Sequence, residues 1–146
     1  MKKYFTVYDD YMDKDACNSY IQMFDGNSDK VYVHEYSSTT SSLSITPDSF
    51  TDKLIRDFNI QYRISNLEVV KRSPGSHMKN HYDKGDALAF VVYLNDSYEG
   101  GHTVFEDKMF ITPQTGRMVL FTNGTFQHRV SSVISGERYI LAGWFK

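Results

Sequence analysis

Cysteine is nearly absent from this sequence. Cys17 is the single one among 146 residues, so no disulfide can close within the chain. A lone cysteine suits a reducing compartment, and a cytoplasmic location is expected. Long apolar runs are missing too. The opening MKKYFTVYDD carries two lysines but reaches Asp9 after a short apolar stretch, too brief for the core of a secretory signal. No run approaches the ~20 apolar residues that span a bilayer, so no membrane partner is expected. Strong charge of either sign is also lacking. The net charge of −2 and pI near 6.2 offer nothing to nucleic acid or to an anionic membrane surface.

The composition that remains is that of a globular protein, 40% hydrophobic and 23% charged. Aromatic content is high at 15%, with 11 Tyr and 10 Phe, which leans toward β-structure. The length suits one domain spanning 1–146, large enough to remove roughly two-thirds of its unfolded surface from water. The sequence does not set an oligomeric state.

MDKDACNSYIQMF places Cys17, Tyr20, Ile21 and Phe24 on one helical face, with Asp13 as a cap and Gly26 just past the end. Cys17 reads as a buried small hydrophobe. KVYVHEY alternates as a strand. SSTTSSLSIT, nearly all Ser and Thr, is expected to be a solvated loop, with a flexible lid as the alternative. PDSFTDKLIRDFNIQY begins with proline at a helix start and repeats apolar residues at Phe50, Leu54, Ile55, Phe58 and Tyr62. From Leu67 on, short apolar runs alternate with Gly, Pro, Asn and Asp, the texture of a sandwich or barrel. The expected division is a helical and strand support over 1–66 and an all-β core over 67–146.

Chemistry concentrates in KNHYDKGD. In extended chain, His81 and Asp83 point to the same side. Two histidines and one carboxylate occupying one face of a metal, with the other face open, suit non-haem Fe(II). A third ligand must come from a separate strand, and His128 in FQHRVSSV is the candidate. On the next strand, Arg138 can pair bidentately with a carboxylate, so a dicarboxylate could chelate the metal at one end and meet Arg138 at the other. The rest of DKGD reads as a solvated loop at the pocket mouth. His77 and His102 are ordinary polar residues in this reading, His34 has no assigned role, and Arg129 points outward.

SPGSHMKNHYD, VVYLNDSYEGGHTVF, ITPQTGRMVLF and QHRVSSVISGERYILAGWF, taken in that order, resemble the Fe(II)/2-oxoglutarate-dependent oxygenases of the prolyl 4-hydroxylase-like branch. The resemblance runs from about Glu68 to Phe145. It implies an α+β, mostly β fold, a double-stranded β-helix (jelly roll) with N-terminal flanking helices. It implies Fe(II) held by His81, Asp83 and His128, with 2-oxoglutarate and O2 as co-substrates and ascorbate as an accessory reductant. It implies that Arg138 clamps the distal carboxylate of 2-oxoglutarate, that Tyr93 hydrogen-bonds the same carboxylate, and that Trp144 lies near the metal pocket. The activity implied is hydroxylation of a prolyl residue in a peptide or protein.

Two places depart from the pattern. Relatives carry Y-x-x-G ahead of the metal pair, where this chain has Arg72 before Gly75, and GGET where this chain has GGHT with His102. Two alternatives to an oxygenase stand on the same residues. One is a non-catalytic, cupin-like metal-binding module, which has no need of a buried arginine after the last ligand. The other is a zinc hydrolase, which needs an acid or base such as Glu106 to activate water.

Overall fold

The computed structural model describes residues 3–83 and 87–146. The end of the DKGD loop, 84–86, therefore lies outside the described residues. Among the described residues, two helices and thirteen strands are arranged in three layers: helices, a large sheet and a small sheet.

Helix α1 (Lys14–Asp25) starts where sequence chemistry places it. The Asp13 carboxylate accepts from the Ala16 N–H, and the Gly26 N–H closes the last turn on Gln22. Helix α2 (Ser49–Phe58) opens with a reciprocal capping box between Asp48 and Thr51 and ends on Asn59 in the left-handed region. Pro47 precedes that cap instead of occupying the first helical turn. The Tyr20 hydroxyl bonds the Asp48 carboxylate, joining the two helices at the start of α2. No helix among the described residues is long and apolar enough to cross a membrane.

The strands are β1 (Phe5–Tyr8), β2 (Tyr32–His34), β3 (Ser37–Ser44), β4 (Ile64–Arg72), β5 (Met78–His81), β6 (Leu88–Tyr93), β7 (Glu99–Gly100), β8 (Thr103–Phe105), β9 (Met109–Ile111), β10 (Met118–Thr122), β11 (His128–Val130), β12 (Val133–Ser135) and β13 (Arg138–Phe145). The large sheet runs β1-β10-β6-β13-β4-β3-β2, and the small sheet β5-β11-β8-β9. A β12-β7 ribbon completes the set, and every pairing is antiparallel. This is the mostly β arrangement with flanking helices that the sequence predicts.

Period-two alternation divides the large sheet between two cores. Leu67 and Val69 of β4, Val92 of β6, Met118 and Leu120 of β10, and Leu141 and Phe145 of β13 pack under the helices with Cys17, Phe24 and Leu54. Val70, Ala89, Val119, Phe121, Ile140 and Ala142 face the small sheet, where Phe105 and Ile111 meet them. Burial on both faces explains why these strands read as continuous apolar runs. Each fully buried aliphatic or Phe side chain contributes roughly 1.5–3 kcal/mol. Cys17 is fully buried, and burial pushes its thiol up to about 11, consistent with packing instead of reactivity.

The SSTTSS stretch is neither loop nor lid. It is β3, paired in register with β4 on one side and with β2 on the other. Thr40 and Ser42 are fully buried. Alternation is present but written in hydroxyls, and the inward hydroxyls find side-chain partners: Thr40 bonds Ser76 at 2.5 Å and Ser42 bonds His34 at 2.7 Å. Hydrophobic periodicity cannot detect such a strand. Nor does it register β1, whose Phe5 joins the inter-sheet core by stacking edge-on against Phe105.

Candidate metal centre and arginine-lined cavity

β5 and β11 are neighbours in the small sheet, and His81 lies directly opposite His128 in their register. The two rings sit side by side with centroids 4.2 Å apart. The chain leaves β5 after His81 and returns Asp83 to the same side. Its carboxylate lies 3.1 Å (Oδ1) from His81 Nε2 and 3.5 Å (Oδ2) from His128 Nε2. One donor atom from each residue falls within 4.8 Å of the others, and among the described residues this is the group of such geometry. His77, His102 and His34 stand outside it.

The outer nitrogens show which atoms are available. His81 Nδ1 is 2.8 Å from the Lys79 carbonyl and His128 Nδ1 is 3.1 Å from the Phe126 carbonyl. Each Nδ1 meets a carbonyl, which turns each Nε2 toward Asp83, the arrangement that orients metal-binding imidazoles. Bonds of about 2.1 Å meeting at right angles would set donor atoms about 3 Å apart, close to the spacings found. Trp144 Nε1 donates to Asp83 Oδ2 at 3.3 Å and fixes the carboxylate from the large sheet.

Ionisation supports the same use. Burial works to raise the Asp83 carboxyl, but His81, His128 and Trp144 outweigh it and hold it below the usual range. Burial pushes the His128 imidazole down, against the pull of Asp83. The hydrogen bond with Asp83 lifts His81 above its usual value, against burial. Near neutral pH the cluster thus offers a carboxylate and a neutral His128, as a divalent ion requires.

The cluster opens into a cavity of about 200 Å³ between the sheets. Arg138, the first residue of β13, lines it and is 1% exposed. Its Nε donates to the Gly101 carbonyl at 2.9 Å and its Nη2 to Thr103 Oγ1 at 3.1 Å, while Nη1 has no partner among the described residues. The glycines of EGGHT make this possible. Gly101 has φ +63°, and a Cβ there would come within 3.0 Å of the Arg138 stem. A buried guanidinium with an open N–H in a cavity beside a metal cluster fits a carboxylate ligand. The donor set therefore fits Fe(II) with 2-oxoglutarate.

Tyr93 is fully buried and does not line the cavity. Its hydroxyl is 2.6 Å from Thr103 Oγ1, and the Arg138 guanidinium lies 5.6 Å from its ring centre. It stands behind Thr103 and Arg138. Glu106 occupies the tight β8–β9 turn at φ +54° and does not line the cavity, so the hydrolase alternative lacks its base. Arg129 points away and meets Asp107 at 3.3 Å.

Sequence reasoning assigned no role to several cavity residues, Arg72 among them although it marks a departure from the family pattern. Arg72 is 4% exposed, and burial followed by the charge of Arg138 pushes its guanidinium down from its usual value. Glu68 shares that face of β4 and bonds the Tyr32 hydroxyl at 2.9 Å. His34, which had no assigned role, and Tyr36 line the same wall. Alternation from Val70 would have placed Glu68 and Arg72 there, had the β4 register been known.

The sequence profile of the 2OG-Fe(II) oxygenase superfamily matches residues 66–146. A PKHD-type hydroxylase from Synechococcus sp. (strain CC9605) is 31% identical over 108 residues, covering 66% of this chain and 48% of the relative. The chain thus spans about half the length of the curated relatives it matches. Among solved structures, the viral collagen prolyl hydroxylase of Paramecium Bursaria Chlorella virus-1, in its 2OG complex, superposes with a TM-score of 0.79 at 20% identity, over 97% of this chain and 94% of that one. A prolyl hydroxylase from Trichoplax adhaerens, in complex with a hypoxia inducible factor oxygen degradation domain peptide fragment, gives 0.76 at 16%, over 97% and 82%. These likenesses establish the double-stranded β-helix fold. Together with the profile match across more than half its length, they place this chain in the 2OG-Fe(II) oxygenase superfamily.

Proposed function

We propose that residues 1–146 act as one oxygenase domain that hydroxylates a prolyl residue in a peptide or protein, consuming 2-oxoglutarate and O2 and releasing succinate and CO2. The observation that carries this reading is a two-histidine, one-carboxylate cluster sharing one cavity with a buried arginine that has an open N–H. A non-catalytic metal module has no use for that arginine. The single-domain reading draws on the large sheet, which β1, β2 and β3 join from the N-terminal part.

His81, Asp83 and His128 would hold the iron, their outer contacts to Lys79, Phe126 and Trp144 fixing the donor directions. When bound, Fe(II) with 2-oxoglutarate supplies the oxidising chemistry that places one atom of O2 on the substrate carbon. Arg138 would bind the distal carboxylate of 2-oxoglutarate through Nη1, with Thr103 holding the guanidinium in plane. Tyr93 would act one step removed, fixing the Thr103 hydroxyl. Val70, Ala89, Phe121, Ile140 and Ala142 exclude water from the centre, which limits wasted oxidation. The target class follows the prolyl hydroxylases among its structural neighbours, including the one described with a bound peptide fragment.

Anaerobic titration with Fe(II) and 2-oxoglutarate tests the centre. A weak visible absorption should appear only when both are present, and Arg138→Gln should require far more 2-oxoglutarate to produce it. An O2-dependent assay with proline-containing peptides should then show succinate release matched by gain of one oxygen atom on the peptide. Succinate release without any peptide oxidation would defeat the target assignment.

A further inference from the structure

The cavity holds two buried arginines, and the proposed chemistry employs one. Arg72 and Arg138 stand directly opposite each other in the β4–β13 register. Among the described residues neither pairs with a carboxylate. Their surroundings differ. Arg138 leans on Gly101 and Thr103. Arg72 donates from Nη1 to Thr40 Oγ1 at 3.1 Å, Ser76 Oγ at 3.2 Å and the His77 carbonyl at 3.4 Å, and from Nη2 to the Tyr36 hydroxyl at 3.4 Å. Met78 Sδ lies 3.5 Å from Nη2. The two arginines share no acceptor, so they form separate cationic poles.

Every hydrogen-bond partner of Arg72 is neutral, and among the described residues its Nε has no partner. Hydroxyls and a carbonyl orient a guanidinium without neutralising it, and a desolvated cation without an anion is costly. Glu68, on the same face of β4, turns its carboxylate to Tyr32 instead. One carboxylate of 2-oxoglutarate belongs at the metal and the other at Arg138. Arg72 is left for an anion of different origin.

The outside of the protein offers a route to Arg72. A surface groove lined by Tyr36, Ser37, His77, Met78, Lys79 and His81 shares Tyr36, Met78 and His81 with the inner cavity. Tyr36 and Met78 also touch Arg72, so Arg72 lies at the throat between groove and metal cluster. No acidic residue lines the groove among the described residues, and Lys79 adds a cation to it.

We propose that Arg72 is a specificity-determining residue that binds a carboxylate carried by the substrate close to the residue hydroxylated. This deepens the hydroxylase reading and rests on it. The carboxylate comes from an acidic side chain, a peptide C-terminus or a free amino acid, and the probes separate these sources.

The test is calorimetric binding to the chain loaded with redox-inert Mn(II) and saturating 2-oxoglutarate. Probes are a proline peptide flanked by Glu with an amidated C-terminus, its Gln counterpart amidated, the Gln counterpart with a free C-terminus, and L-proline. At least one carboxylate-bearing probe should bind roughly ten- to a hundredfold more tightly than the amidated Gln peptide, as a charge-assisted hydrogen bond at a buried site allows. Arg72→Gln should reduce that ratio to near one, Arg72→Lys should keep part of it, and 2-oxoglutarate affinity should change little in either. Equal binding of all probes by the unmutated chain overturns the proposal, and that arm needs no variant to fold. Loss of 2-oxoglutarate affinity in Arg72→Gln as deep as in Arg138→Gln also overturns it, by assigning Arg72 to the co-substrate. Arg72-dependent binding of L-proline alone upholds the carboxylate site while removing the peptide target. With Fe(II) in place of Mn(II), oxidation of the amidated Gln peptide as fast as every carboxylate-bearing probe retains the hydroxylase and removes the role of Arg72.

Discussion

The two sheets divide the labour unequally. β4 and β13 of the large sheet run for nine and eight residues and are paired on both edges. The strands of the small sheet are three or four residues long, yet two of them carry the clustered histidines. The large sheet is packed on both faces, under the helices and against the small sheet, and carries most of the buried hydrophobic side chains among the described residues. Stability and chemistry are thereby separated, with Arg138, Arg72 and Trp144 crossing the gap from the stable side. Rigid strands suit residues that must aim a charge, and short strands beside loops suit ligands that must admit a metal.

The sharpest way to break this separation is Leu141→Ala, at a fully buried large-sheet position beneath the helices. It should cost about 2–5 kcal/mol of unfolding free energy, read from denaturant midpoints, while the folded fraction keeps its metal affinity. A parallel fall in metal affinity would mean the sheets are not separable. Asp83→Ala is the reciprocal case. Metal affinity and turnover should drop by at least ~100-fold, beyond the range for outer contacts to a ligand, with the unfolding midpoint nearly unmoved.

Trp144→Phe probes the crossing. It keeps the ring packing but removes the N–H that holds Asp83. Metal affinity should fall ~10–100-fold with little change in stability, and an unchanged affinity would reduce Trp144 to a packing residue. The smallest effect is expected at Glu68. Burial raises its carboxyl above the usual range, against the hydrogen bond from Tyr32. The folded state therefore binds a proton that the unfolded chain has already released, and stability declines as pH rises from the ordinary glutamate range through the raised folded value. Glu68→Gln should flatten that decline in pH-dependent unfolding curves, and identical slopes would refute it.

Much of this was legible in the chain itself. The Asp13 cap, the two helical stripes and the late apolar runs reflect local rules that act within a few residues, so spacing alone exposes them. His81, Asp83, His128 and Arg138 could be selected because residue type, order and the motifs between them narrow the chemistry. β3 was not legible, because its buried face is made of Thr40 and Ser42, whose hydroxyls are satisfied by Ser76 and His34 from other segments. The standing of Arg72 was hidden for the same reason.

Local sequence determined the two helices and the apolar strands, and which side chains could ligate a metal, since these depend on residue type and on neighbours along the chain. Tertiary structure alone decided that His128 lies across from His81, that Trp144 reaches Asp83, and that two arginines share one cavity. Those relations are set by strand register between distant segments, and register is a property of the packed sheets that no single stretch of the chain contains.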